Sequence, residues 1–147
     1  MNATFLTILF NLISLFGFSQ YIIPLKNKNG AKYIESNVDG VPIEFIFDTG
    51  ASSTMLSLEA FERIKNKSGQ YELLRVETYQ VADGSTVSAN TYLADSICIG
   101  SLCFEKIEFS VIQSENSPCL LGQNIFEKLY SYEIQSNQIN PEKLFRK

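Results

Sequence analysis

Four turn dipeptides punctuate this chain: Asn29-Gly30, Asp39-Gly40, Asp83-Gly84 and Gly100-Ser101, each lying among short runs rich in Val, Ile, Tyr and Phe. Asn, Asp and Gly tolerate the positive φ that two-residue hairpin turns need, so this punctuation predicts hairpins. "KYIESNV" and "VPIEFIF" flank Asp39-Gly40, "ETYQVA" and "STVSANTYLA" flank Asp83-Gly84, and "DSICI" and "LCFEKIEFSVI" flank Gly100-Ser101. Two short helices interrupt the strands. "SLEAFERIKNK" sets Leu58, Phe61, Ile64 and Lys65 at helical spacing behind Ser57 as N-cap, and "GQNIFEKLYS" does the same with Ile125, Phe126 and Leu129. No repeat, low-complexity tract or linker divides the chain, and 147 residues suffice for one domain with its own core. The expectation is a mainly β domain with one or two short helices.

Composition narrows the chemistry. The net charge of −4 comes from scattered acids with no Lys/Arg block, so nucleic acid is not an expected partner. Histidine is absent, which removes Ser-His-Asp and Cys-His nucleophile systems and the usual zinc ligands together. Three scattered cysteines lack the pairwise spacing of a zinc site, so neither metal nor cofactor is expected. Any catalysis has to run on carboxylates, thiols, hydroxyls or lysines.

From Phe5 to Phe18 the chain is apolar and uncharged, about the length of a signal-peptide core, with Gly17 and Ser19 at the spacing of a cleavage site. Residues 1–19 are read as a signal peptide cut before Gln20, leaving 20–147 as the domain, exported to a periplasm or secreted. No Lys or Arg precedes the apolar run. The alternative is therefore an uncleaved anchor that holds the domain at a membrane, facing outside the cytosol.

The stretch "FIFDTGASS" sets an acid at the end of an apolar strand, where water to solvate its charge is scarce. Asp48 is thus either functional or paired, or else begins a turn in which Gly50 supplies the unusual dihedral. Its surroundings favour function: Ala51 and Ser52 follow, then a helix, and about 70 residues later "CLLGQNIFEKL" opens a second helix. Together "FDTGAS" (Phe47 to Ser52), "VADGSTV" (Val81 to Val87) and "LLG" (Leu120 to Gly122) resemble the retropepsin-like aspartic peptidases over about residues 31 to 135. Cys119 departs from the pattern, standing where an acid or small polar residue is expected before the brace.

That resemblance implies a small closed β-barrel of the acid-protease type. Asp48, Thr49 and Gly50 fall in its catalytic loop, Ala51 and Ser52 support the loop, and Leu121 and Gly122 brace it. Val81, Ala82, Asp83, Gly84 and Ser85 form a flap over the substrate. Hydrolysis with neither metal nor covalent nucleophile needs one group to take a proton from water and another to give one to the carbonyl oxygen, and two carboxylates sharing a proton do both. The chain has a single D-T-G, so a C2 homodimer pairing two Asp48 residues is required. Thr49 is short enough to hydrogen-bond across that axis, Gly50 lets backbone approach the carboxylate, and Ser52 is placed to donate to its outer oxygen. The expected activity is aspartic endopeptidase, acting on a peptide or protein held in extended form. The alternative is a non-catalytic module binding a peptide on the same fold. With Gly100-Ser101 as a two-residue turn, Cys98 faces Cys103, either as a disulfide or as two thiols. Cys119 is left over, expected to be buried beside the brace.

Overall fold

The computed structural model describes residues 21–143 except Ala82, Glu115, Tyr130 and Ser136. The leader, residues 1–19, lies outside this set. Strands β1 (Ile23–Pro24), β2 (Lys26–Lys28), β3 (Ala31–Val38), β4 (Val41–Phe47) and β5 (Thr54–Leu56) precede helix α1 (Leu58–Ser68). Then come β6 (Arg75–Gln80), β7 (Thr86–Ile99), β8 (Leu102–Ile112), β9 (Leu120–Leu121), a four-residue helix α2 (Gln123–Phe126), β10 (Ser131–Gln135) and β11 (Gln138–Lys143). An eight-stranded sheet runs β2-β3-β4-β9-β5-β8-β7-β6, and a three-stranded one runs β1-β11-β10. The large sheet returns on itself where β3 pairs with β7 through Ser36↔Ile99, Asn37↔Cys98 and Val38↔Ile97. The fold is the small β-barrel predicted, with two helices on it among the described residues.

The hairpin at Asp39-Gly40 has the predicted register, Val38 facing Val41, and both turn residues have positive φ. β4, the apolar strand that ends at Asp48, is buried on one face only. Val41, Ile43 and Phe45 point inward while Pro42 and Glu44 are exposed, and Ile46 and Phe47 are half-buried. A sheet with only one face on the core imposes this alternation. "STVSANTYLA" and "DSICI", read as strands of separate hairpins, are one continuous strand, β7, long enough to pair with β6, β8 and β3. The segment forming β5 carried no prediction. The helix read in "GQNIFEKLYS" stops at Phe126, Leu129 is buried beyond its end, and Ser131 already opens the β10–β11 hairpin.

Ser57 caps α1 as its sequence implies, its hydroxyl accepting from Ala60 N at 3.1 Å. Ala60, Phe61 and Ile64 face the barrel, whereas Leu58 is exposed. Phe61 stacks on Tyr92 at 4.4 Å between ring centroids and meets Phe109 and Tyr71 edge-on. Phe45, Leu56, Phe109 and Leu121 are fully buried in the same core. A second, smaller apolar cluster of Met55, Ala89 and Ile112 takes Tyr79, Val87 and Leu120 against it.

Candidate active site

β9 lies between the strand that ends at Asp48 and the strand that leaves the loop. Leu120 and Leu121 pair in parallel with Ile46 and Phe47, and Leu120 pairs with Met55 on the other side. Ile46 N donates to Cys119 O at 2.8 Å and Asp48 N to Leu121 O at 3.3 Å. The apolar pair before Gly122 therefore fixes both ends of the loop. Phe47, just before the aspartate, meets Phe126 of α2 edge-on at 5.0 Å.

Gly122 explains why no larger residue stands there. Its φ of −96° is open to any residue. A Cβ on it would lie 2.3 Å from Ser53 O and 2.9 Å from Ala51 O, so the constraint is space. Just beyond, Gln123 N donates to Ala51 O at 2.8 Å and Asn124 N to Ser52 O at 3.3 Å, so the start of α2 carries the back of the loop. Gln123 Nε2 adds a bond to Thr49 O at 2.7 Å.

Asp48 is half-buried, and Thr49, Gly50 and Ser52 are exposed. Asp48 Oδ1 accepts from Gly50 N at 2.8 Å, and a Cβ on Gly50 would sit 3.2 Å from that oxygen. The close backbone approach expected of Gly50 is present. Ser52, expected to donate to the outer carboxylate oxygen, is tied instead through its carbonyl, which accepts from Asn124 N.

Two residues that hold the site carried no prediction. Thr54 is fully buried, and its N and Oγ1 both donate to Asn124 Oδ1 at 2.8 Å, while Oγ1 stands 3.4 Å from Gly122 N as acceptor. Asn124 Nδ2 in turn donates to Glu108 O at 2.8 Å. The available signals were a polar residue opening an apolar triplet, Thr54-Met55-Leu56, and an amide two residues past the glycine.

The hairpin expected to form a flap is present, with its tip one residue out of the predicted register. Tyr79 pairs with Val87 and Gln80 with Thr86, and Val81 N donates to Ser85 O at 2.9 Å. The connection is a three-residue loop, 82–84, in place of the two-residue Asp83-Gly84 turn. Gly84, at φ +85°, takes the left-handed position of such a loop, and Gly84 N donates to Val81 O. Asp83 Oδ1 accepts from Ser85 N and Oγ at 2.9 and 2.7 Å, and these bonds hold its carboxyl below the ordinary value. Ala82 lies outside the described residues. At its base, Arg75, Glu77 and Tyr79 share an open depression of about 1620 Å³ with Ser52, Ser53 and Asn124.

Cys98 and Cys103 stand directly opposite in the β7–β8 ladder with their sulfurs bonded and Cα atoms 4.0 Å apart. Cys119 is a free, half-buried thiol that accepts from Ser57 N at 3.4 Å. Among the described residues no group of three or more Cys, Asp and Glu side chains converges as metal ligands, and no helix is long and apolar enough to cross a membrane.

The loop between two strands, braced by an apolar pair and a glycine, defines a retropepsin-like aspartic peptidase fold. The family model described as gag-polyprotein putative aspartyl protease matches residues 34–128, and the chain belongs to that family. It is similar to a retropepsin-like aspartic protease from Rickettsia conorii, at 27% identity and a TM-score of 0.63, covering 84% of this chain and 99% of that one. EIAV protease complexed with the inhibitor HBY-793 is 18% identical with a TM-score of 0.54, covering 75% and 98%, and is alike in fold. An uncharacterized protein of Rickettsia prowazekii (strain Madrid E) is 29% identical over 116 residues, 79% of this chain. The chain spans about half the length, 48%, of that relative.

Proposed function

We propose that the chain is an aspartic endopeptidase that works as a C2 homodimer, with the Asp48 carboxylates of two copies sharing one proton. One carboxylate takes a proton from water as the water oxygen attacks the scissile carbonyl carbon; the other gives its proton to the carbonyl oxygen. Collapse of the tetrahedral intermediate then passes a proton to the leaving amine and restores the shared-proton state. The observation that carries this reading is the intact loop: Asp48 half-buried at a strand end, its Oδ1 held by Gly50 N, beside an exposed Thr49 and Gly50. That exposed edge is what a second copy requires, and Thr49 is the residue to bond across the axis. Residues 81–85 act as a flap that closes over an extended peptide and excludes bulk water.

The leader reading extends this to an exported protein, periplasmic or secreted after cleavage before Gln20, or held at a membrane if the leader stays. An oxidising compartment suits the Cys98–Cys103 bond. A non-catalytic peptide-binding module is the competing reading. The Gly50 bond to the carboxylate argues against it, since a relic has no use for an acid placed at a half-desolvated strand end. The test is an assay of the mature chain on a peptide library at several pH values, with Asp48→Asn beside it. Cleavage on the acid side that disappears in Asp48→Asn, with the fold retained, supports the proposal; equal turnover by both chains sinks it.

A further inference from the structure

The base of the flap carries a polar cluster that the hydrolytic chemistry leaves unused. Arg75, Glu77 and Tyr79 alternate along β6 and so share one face, and in register β7 presents Thr91, Ala89 and Val87 beside them. Ser110 on β8 pairs with Thr91. Thr91 and Ser110 are buried hydroxyls, and both bond to this face, Thr91 to Glu77 and Ser110 to Tyr79.

Four oxygens form a ring there. Thr91 Oγ1 donates to Glu77 Oε2 at 2.8 Å, and Tyr79 OH donates to the same oxygen at 2.9 Å. Ser110 Oγ closes the ring, 2.8 Å from Tyr79 OH and 3.1 Å from Thr91 Oγ1. Three hydroxyl protons serve the ring, and only the carboxylate oxygen is a pure acceptor, so two of them converge on Glu77 and that of Ser110 goes to one neighbour. From Glu77 the tie runs outward: Arg75 Nε stands 3.1 Å from Oε1, and Arg75 Nη2 donates to Glu108 Oε2 at 2.6 Å. The Glu108 carbonyl accepts from Asn124, which holds Thr54 at the exit of the Asp48 loop.

We propose that Glu77 is a positioning residue that seats the base of the flap on the barrel wall, gathering Tyr79, Thr91 and Arg75 so that the hairpin carrying residues 81–85 approaches the Asp48 loop at a fixed height. The assignment rests on the flap role proposed above. Its geometry is specific to that role: β6 is the edge strand of the large sheet, tied in the ladder to β7 alone, and the ring gives it a second anchorage, on β8. The ring also fixes Tyr79, whose side chain packs against Met55, Ala89 and Ile112. A flap seated in this way adds to substrate binding without touching the reacting atoms.

The test uses the full chain in four forms: wild type, Glu77→Ala, Glu77→Gln and Tyr79→Phe. Hydrogen exchange is read over residues 75–87, with β3 and α1 as internal references. Glu77→Ala should speed exchange across 75–87 by about tenfold, the loss expected for a charge-assisted hydrogen bond, and leave the references unchanged. Glu77→Gln keeps an acceptor for both hydroxyls and should recover most of the protection; Tyr79→Phe should fall between. On a cleaved peptide, Glu77→Ala should raise KM several-fold with kcat within about twofold, because the loss is in substrate enclosure. Unchanged exchange in 75–87, or equal acceleration over the whole barrel, overturns the proposal. So does an unchanged KM in an active enzyme. If wild type cleaves no peptide, the protease reading fails by itself, and the exchange measurement decides the seating of the flap alone.

Discussion

Replacing Gly122 with alanine tests the packing of the brace against the Asp48 loop. The new Cβ would lie 2.3 Å from Ser53 O and 2.4 Å from Ser53 C, where real contacts essentially never fall below 3.0 Å. The loop or α2 therefore has to move by about 0.7 Å, and both neighbours are backbone. Overpacking of this kind costs roughly 1–3 kcal/mol. The same movement stretches the bonds from Gln123 N to Ala51 O and from Asn124 N to Ser52 O, each worth about 1 kcal/mol. The total is about 3–5 kcal/mol, a large part of the stability of an ordinary domain. In urea at fixed chain concentration the midpoint should fall by on the order of 2 M with an unchanged slope. A loss below about 1 kcal/mol would mean that the loop yields freely, and would refute the view that Gly122 is there to let it close.

Three further outcomes follow from the same geometry. Thr54→Val removes a fully buried hydroxyl that donates to Asn124 and accepts from Gly122 N, so urea unfolding should show a loss of about 1–3 kcal/mol. Changing Cys98 and Cys103 together to serine opens a ring of sequence separation 5, which chain-entropy reasoning values at about 2 kcal/mol, and peptide hydrolysis should be unaffected. The hydroxyls of Thr91 and Tyr79, then Arg75, hold the Glu77 carboxyl below its ordinary 4.5, and Arg75 does the same for Glu108. The folded state thus binds these protons less readily than the unfolded chain, so the stabilisation is complete above about pH 4.5 and is lost as pH falls through the lowered values. Midpoints measured from about pH 6 down to about pH 3 should fall less steeply in Glu77→Gln than in wild type.

The parts of this fold that sequence revealed are those governed by local chemistry. Positive φ at Asp39 and Gly40 needs no tertiary help, and Ser57 caps its helix with an atom three residues away. The loop at Asp48 was legible because an acid ends an apolar strand there, and its brace because "LLG" resembles the motif of a known family. What stayed hidden depends on neighbours far along the chain. Thr54 reads as an ordinary strand residue until Asn124, 70 positions later, is seen to gather its N–H and hydroxyl. The flap tip slipped by one residue because Asp83-Gly84 suits a two-residue turn as well as the last positions of a three-residue loop, and only pairing along β6 and β7 decides between them. Glu77 gave no signal either, since the ring it joins draws Thr91 from β7 and Ser110 from β8.

The shared dyad is tested most directly by mixing wild-type chains with Asp48→Asn chains at fixed total concentration, after the partners have been allowed to exchange. If each catalytic centre needs two intact Asp48 carboxylates, activity follows the square of the wild-type fraction, and an equal mixture should retain about one quarter of the wild-type rate. A rate that instead falls in simple proportion, to about one half in the equal mixture, would mean that a single chain carries a complete centre, and would contradict the account.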